Sequence, residues 1–211
     1  MPTEPNLLTR IAASVPGFLL GIVLHEVAHG YAAYRLGDDT AKRAGRLTLS
    51  PLAHLDPFGT IFFVISSWAG MGFGWAKPVP VAVERLRNPR RDEVLVTLAG
   101  PAANLTQVVA WALLFRLVAG FAPMNLMQAL GLICFYGVAI NCVLLIFNLL
   151  PIPPLDGSHV ALRLLGSEDP HLADRLAPIG FLVLFLLVRS RAFGAFLSRL
   201  LEPLLRILLF R

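Results

Sequence analysis

The chain has little charge. Of 211 residues only 15% are Asp, Glu, Lys or Arg, where soluble domains carry about 25%. Apolar residues make up 56%, and the mean hydropathy is +0.71. Those values exclude a disordered chain, a collagen and an ordinary soluble enzyme. Cysteine is also scarce. Cys134 and Cys142 lie eight residues apart in one apolar segment. On a helix that is about 12 Å of rise, too far for a disulfide, and the spacing is not that of a thiolate metal site. Both are expected in the core. No basic run interleaved with aromatics occurs, which excludes nucleic acid as a partner. No positive n-region precedes the first apolar segment, so no cleaved leader is expected. Repeats and low-complexity tracts are absent.

What is present is a series of long apolar segments. The first runs from Leu7 to Leu36, the third from Val94 to Val118, and the fourth from Leu126 to Leu150. Each can span a bilayer, which takes about 20 residues. The second, Phe58 to Trp75, is rich in glycine, β-branched and aromatic residues, and suits a strand-like or broken element better than a straight helix. Near the end, Leu176 to Val188 is short for a span. Gly194 to Phe210 carries Arg199, Glu202 and Arg206 among leucines, as an amphipathic interfacial helix or a tilted last span would. The expected fold is an all-α polytopic membrane bundle. It has a three-helix core, a re-entrant, partly β-like segment and C-terminal membrane helices.

Basic residues set the expected topology. Lys77 to Asp92 holds five Lys/Arg, and the connector between segments three and four holds none. Segment three should therefore leave the cytoplasm and segment four return to it. The stretch after segment one, with Lys42, Arg43 and Arg46, also reads as cytoplasmic. Both flanks of segment two are then inside, so it should dip into the membrane and come back.

The chemistry concentrates in His25-Glu26-Val27-Ala28-His29. On a helix, residues i and i+4 share a face, so two imidazoles can hold one metal ion. Glu26, beside the first of them, can reach a metal-bound water as general base. By average composition the pattern arises by chance in such a chain on the order of once in 200. Ionisable residues inside an apolar span are costly and functional by default. The alternative for the same residues is a proton or metal pathway.

A catalytic zinc takes three protein ligands. Asp156 is the candidate third, in Asn148-Leu149-Leu150-Pro151-Ile152-Pro153-Pro154-Leu155-Asp156-Gly157. The prolines end segment four, and a carboxylate just past that break can turn back toward segment one. An ordinary Asp-Gly turn is the other reading.

These strings, with Gly100-Pro101-Ala102-Ala103-Asn104 between them, resemble the site-2 protease family of intramembrane zinc metalloproteases, peptidase family M50. The resemblance covers roughly residues 18 to 160 and keeps the family's motif order. It implies one zinc ion held by His25, His29 and Asp156, with Glu26 activating water. It further implies an active site within the cytoplasmic membrane, reached from the cytoplasm. The substrates would be transmembrane segments of other proteins. Asn148 and Asn104 would orient substrate or stabilise an oxyanion, or else bond between helices; Asn141 reads as packing. His54-Leu55-Asp56-Pro57 and Gly74 to Pro80 also look like the compact type without a PDZ domain. Residues 1–211 are then one membrane-embedded domain, with a core at 7–160 and C-terminal membrane segments at 176–210. His54 and Asp56 read as a polar brace or a second metal site, and His159 as a partner of Asp156 or a loop residue. Segment two and Pro78-Val79-Pro80 are expected to hold a substrate strand by edge pairing. A zinc-containing scaffold without activity is the remaining alternative.

Overall fold

The computed structural model describes residues 5–57, 59, 61 and 77–210. Among them the structure is helical, without a β-strand element: α1 (Leu7–Arg35), α2 (Thr40–Arg43), α3 (Pro89–Phe121), α4 (Met124–Asn148), α5 (Asp156–Leu164), α6 (Leu172–Arg189) and α7 (Arg191–Phe210). Single 3-10 turns lie at Pro51–Ala53 and Val83–Arg85. Apart from residues 59 and 61, segment two lies outside the described residues, and with it the expected re-entry and β-like character.

Each long helix has a chemical start and stop. Asn6 caps α1, its Oδ1 accepting the Thr9 N–H at 2.8 Å. At the other end, the Asp38 N–H bonds to the Ala33 carbonyl at 2.9 Å and the Gly37 N–H to that of Tyr34 at 3.3 Å. This is a Schellman closure, with Gly37 at φ +117°. Pro89 occupies the first turn of α3, where its missing N–H costs nothing. α4 stops at Asn148, just before Pro151, Pro153 and Pro154.

Helices α1, α3 and α4 (the last from Leu126) are long and apolar enough to cross a membrane, as segments one, three and four were expected to be. They pack pairwise against one another. Contacts fix their directions. Gly21 and His29 of α1 meet Asn104 and Val96 of α3, so these helices are antiparallel. Gly17 of α1 meets Gly137 of α4 and Gly21 meets Asn141 and Leu144, so those two run parallel. A Cβ on Gly17 would lie 2.7 Å from the Gly137 Cα, which is how two spans come this close. The chain is an all-α polytopic membrane protein.

The C-terminal helices sit at the side of this core. α6 and α7 meet at a 74° bend and pass as one broken span or a re-entrant pair. Leu209 of α7 joins Val108, Ala112 and Phe115 of α3 and Cys134, Val138 and Cys142 of α4 in one buried cluster. Both cysteines are buried and free, as expected. Two short helices were not foreseen: α2, four residues long, and α5, nine residues long.

Candidate metal centre

Two elements converge on one point. α1 brings His25 and His29, and the first turn of α5 brings Asp156. The His25 Nε2 lies 3.2 Å from Asp156 Oδ2, and the His29 Nε2 lies 3.5 Å from Asp156 Oδ1. The two Nε2 atoms are 3.0 Å apart, and the rings meet edge-on. All three donor groups lie within 4.8 Å of one another. No other group of three potential ligands is gathered among the described residues.

The surroundings fix the protons. His29 Nδ1 lies 2.8 Å from the backbone carbonyl of Val96, which can only accept, so Nδ1 carries the hydrogen. His25 Nδ1 lies 2.6 Å from Asn104 Oδ1. The orientation of that amide is set by its nitrogen, which donates to the Gly21 carbonyl at 3.1 Å and to Asn141 Oδ1 at 2.9 Å. Asn141 is oriented in turn by donating to the carbonyls of Gly137 and Gly17. With both Nδ1 atoms protonated in the neutral rings, both Nε2 atoms carry lone pairs and face each other beside a carboxylate.

Such an arrangement calls for a cation. Asp156 Oδ2 is buried and has no hydrogen-bond partner; its approach to His25 is an ion-pair distance without hydrogen-bond geometry. Two imidazole nitrogens and a carboxylate, with Nδ1 hydrogens bonded outward, match the donor set and the outer support of a catalytic zinc. The residues present therefore fit a zinc ion.

Gly100 makes room for the two rings. A Cβ there would collide with His29 Nε2 and with His25 Cε1. The Gly-Pro string on α3 thus serves as a bare floor under the imidazoles. α5 is pinned to α3 by a buried ion pair between Arg163 and Glu93, and Arg163 also donates to the Ser167 carbonyl at 2.9 Å. That pair holds the helix that presents Asp156.

The other expected site residues are distributed as follows. Glu26 lies next to His25, and its Oε2 accepts the Val79 N–H at 2.8 Å. Asn104 is completely buried behind His25. Asn148 ends α4, its amide nitrogen bonded to the Leu144 carbonyl at 3.0 Å. His54 is buried against the Thr48 carbonyl at 2.8 Å, and its own carbonyl accepts the Lys77 N–H. Asp56 caps the Gly59 N–H at 2.7 Å. Both act as braces. His159 faces Glu93 at 3.6 Å. Sequence reasoning missed the Val96 carbonyl, the Glu93–Arg163 pair and the part played by Asn141. The last carried a signal, since an amide at membrane depth needs partners.

Comparison with known proteins gives the family. The model for peptidase family M50 matches residues 120–188. YwhC of Bacillus subtilis is 42% identical over 174 residues, 80% of this chain and 76% of the relative. The chain belongs to peptidase family M50. Rip2 of Mycolicibacterium smegmatis is 34% identical over 187 residues, covering 84% of this chain and 67% of the relative. Rip2 of Mycobacterium tuberculosis strain H37Rv is 35% identical over 181 residues, covering 82% and 64%. All three carry provisional names as zinc metalloproteases. No solved structure gives a significant match. As an M50 member the chain is a membrane protein of a zinc metalloprotease family.

Proposed function

We propose that this protein is an intramembrane endopeptidase that hydrolyses peptide bonds in or near transmembrane segments of other proteins. The observation that carries the reading is the pair of inward-facing Nε2 lone pairs beside Asp156, with Glu26 adjacent on the same membrane-spanning helix. His25, His29 and Asp156 would hold one zinc ion, which when bound supplies Lewis acidity to the scissile carbonyl and to the attacking water. Glu26 accepts the proton of that water and returns it to the leaving amine. Asn104 holds the His25 ring at fixed tilt and tautomer. Asn148, at the end of α4, is the amide assigned to the substrate backbone.

Position in the membrane follows from charge. α3 begins next to Arg85, Arg87, Arg90 and Arg91, which supports a cytoplasmic N-terminus. The antiparallel α1 and the parallel α4 then both end on that side, and the metal donors lie near it. Access from the cytoplasmic face of the inner membrane is the corresponding proposal. A substrate helix has its carbonyls bonded internally and must unwind before attack.

The test uses purified protein in detergent, wild type beside Glu26→Gln, with zinc counted by elemental analysis and a single-span reporter followed by mass spectrometry. Zinc in both, with cleavage in the wild type alone and abolished by a chelator, is the expected result. Cleavage by Glu26→Gln at the wild-type rate would overturn the role of Glu26. Zinc transport by reconstituted wild type, without any proteolysis, would overturn the peptidase.

A further inference from the structure

The segment from Lys77 to Ala82 crosses the face of α1 that carries Glu26, and its attachments are specific. The Lys77 N–H donates to the His54 carbonyl at 2.9 Å. The Lys77 carbonyl accepts from the buried Arg46 guanidinium at 2.6 Å. The Ala82 N–H donates to Oδ2 of Asp38, a fully buried carboxylate, at 2.7 Å. Between these pins lies Pro78-Val79-Pro80. Neither proline has an N–H, so this stretch owns one backbone donor, and that donor is bonded to Glu26. The Val79 side chain is buried one turn further along α1, over Gly30. A Cβ on Gly30 would lie 2.9 Å from Val79 Cγ1 and 2.8 Å from Leu47 Cδ2. The sequence thus clears a seat for Val79 and leaves it a single hydrogen to give.

From this we infer that the Pro78–Val79–Pro80 strap positions the proton-carrying carboxylate: the Val79 N–H holds Oε2 of Glu26 so that Oε1 is presented to the reacting water. The inference rests on the peptidase reading of Glu26. It also changes the expected part of the strap in substrate binding. With two prolines and a donor already engaged, residues 78–80 have no N–H to offer a substrate strand. Val79 acts through Glu26 and touches no reacting atom, so it is a positioning residue.

Two variants separate the N–H from the side chain. Val79→Pro removes the hydrogen and keeps an apolar group in an extended stretch; Val79→Ala keeps the hydrogen and removes most of the side chain. Kinetics on the single-span reporter and zinc content are measured for both beside the wild type, whose own activity against Glu26→Gln tests the peptidase reading separately. Val79→Pro should lower kcat about tenfold or more, the scale of a lost hydrogen bond to a charged group, with KM and zinc content unchanged. The loss in Val79→Ala should be several-fold smaller. Equal losses in the two variants, or a kcat raised by Val79→Pro as for a lid, would overturn the inference. If Val79→Pro does not fold, Gly30→Ala decides, because it displaces the strap from the other side. A fall in kcat with zinc retained supports the inference, and an unchanged kcat overturns it. A spectroscopic readout is independent of turnover. In protein labelled with 15N-valine, the Val79 amide proton, assigned by its absence in Val79→Ala, should move upfield in Glu26→Ala. An unmoved resonance would contradict the bond.

Discussion

The helices around the metal donors and the C-terminal pair α6–α7 are both rich in leucine and phenylalanine, yet they are held in opposite ways. In the core, Asn104 and Asn141 are fully buried, and each amide nitrogen donates to two acceptors. The bonds run from backbone carbonyls through two amides to one imidazole. At the C-terminal side, α7 rests on the core through Leu201, Leu205, Leu208 and Leu209. Its polar tie is Arg116, which donates to the carbonyls of Ile207 and Leu208 at 3.1 Å. α6 leaves Ile179, Leu182 and Leu186 exposed, as a lipid-facing surface would be. Apolar contact alone sets no unique rotation between helices in lipid, whereas a satisfied buried amide chain does. Polar groups are spent where two ring nitrogens must point at one spot.

Substitutions can break that contrast, and the largest effect is expected at a glycine. Gly100→Ala drives a methyl group into both imidazoles, so purified protein should lose its zinc by elemental analysis. Arg163→Met comes next. It takes the guanidinium from buried Glu93, leaving it His159 at 3.6 Å, and should lower stability by up to about 3–5 kcal/mol, read as a fall in melting temperature in detergent. The double variant Glu93→Gln, Arg163→Met should recover part of that loss. Asn104→Leu removes the acceptor that sets the His25 tautomer. Competition with a chromophoric chelator should show zinc affinity reduced about 10–100-fold. The smallest effect belongs to Gly194→Ala in α7, where a Cβ meets nothing within 4 Å. Zinc content should not change, and the melting temperature should hold or rise by the equivalent of up to about 1 kcal/mol.

The same contrast explains what the sequence made legible. Three spans were readable because continuous apolar stretches of this length have one use, and prolines marked the end of α4. His25, Glu26 and His29 were readable because helical spacing alone puts the two imidazoles on one face. Asp156 was readable as a carboxylate just past a helix break. Its placement at the head of α5 was not, because nine mixed residues show no long periodicity. The Val96 carbonyl could not be read at all, since every residue has a carbonyl and only packing decides which one meets His29. Glu93 and Arg163 carried no signal of pairing in the sequence. They pair because α5 folds back onto α3 seventy residues away. Asn104 was visible as a polar residue in a span, but its role could not be chosen between substrate and interhelical bonding without the fold.

Zinc K-edge X-ray absorption on the purified protein tests the metal centre most directly. The expected spectrum shows one zinc per chain with two imidazole nitrogens and carboxylate or water oxygens, all at about 2.0–2.2 Å. In Asp156→Ala the zinc should be lost or its oxygen shell altered. A zinc with sulfur neighbours, or a wild-type protein that binds no zinc while folded, would contradict the assignment of His25, His29 and Asp156.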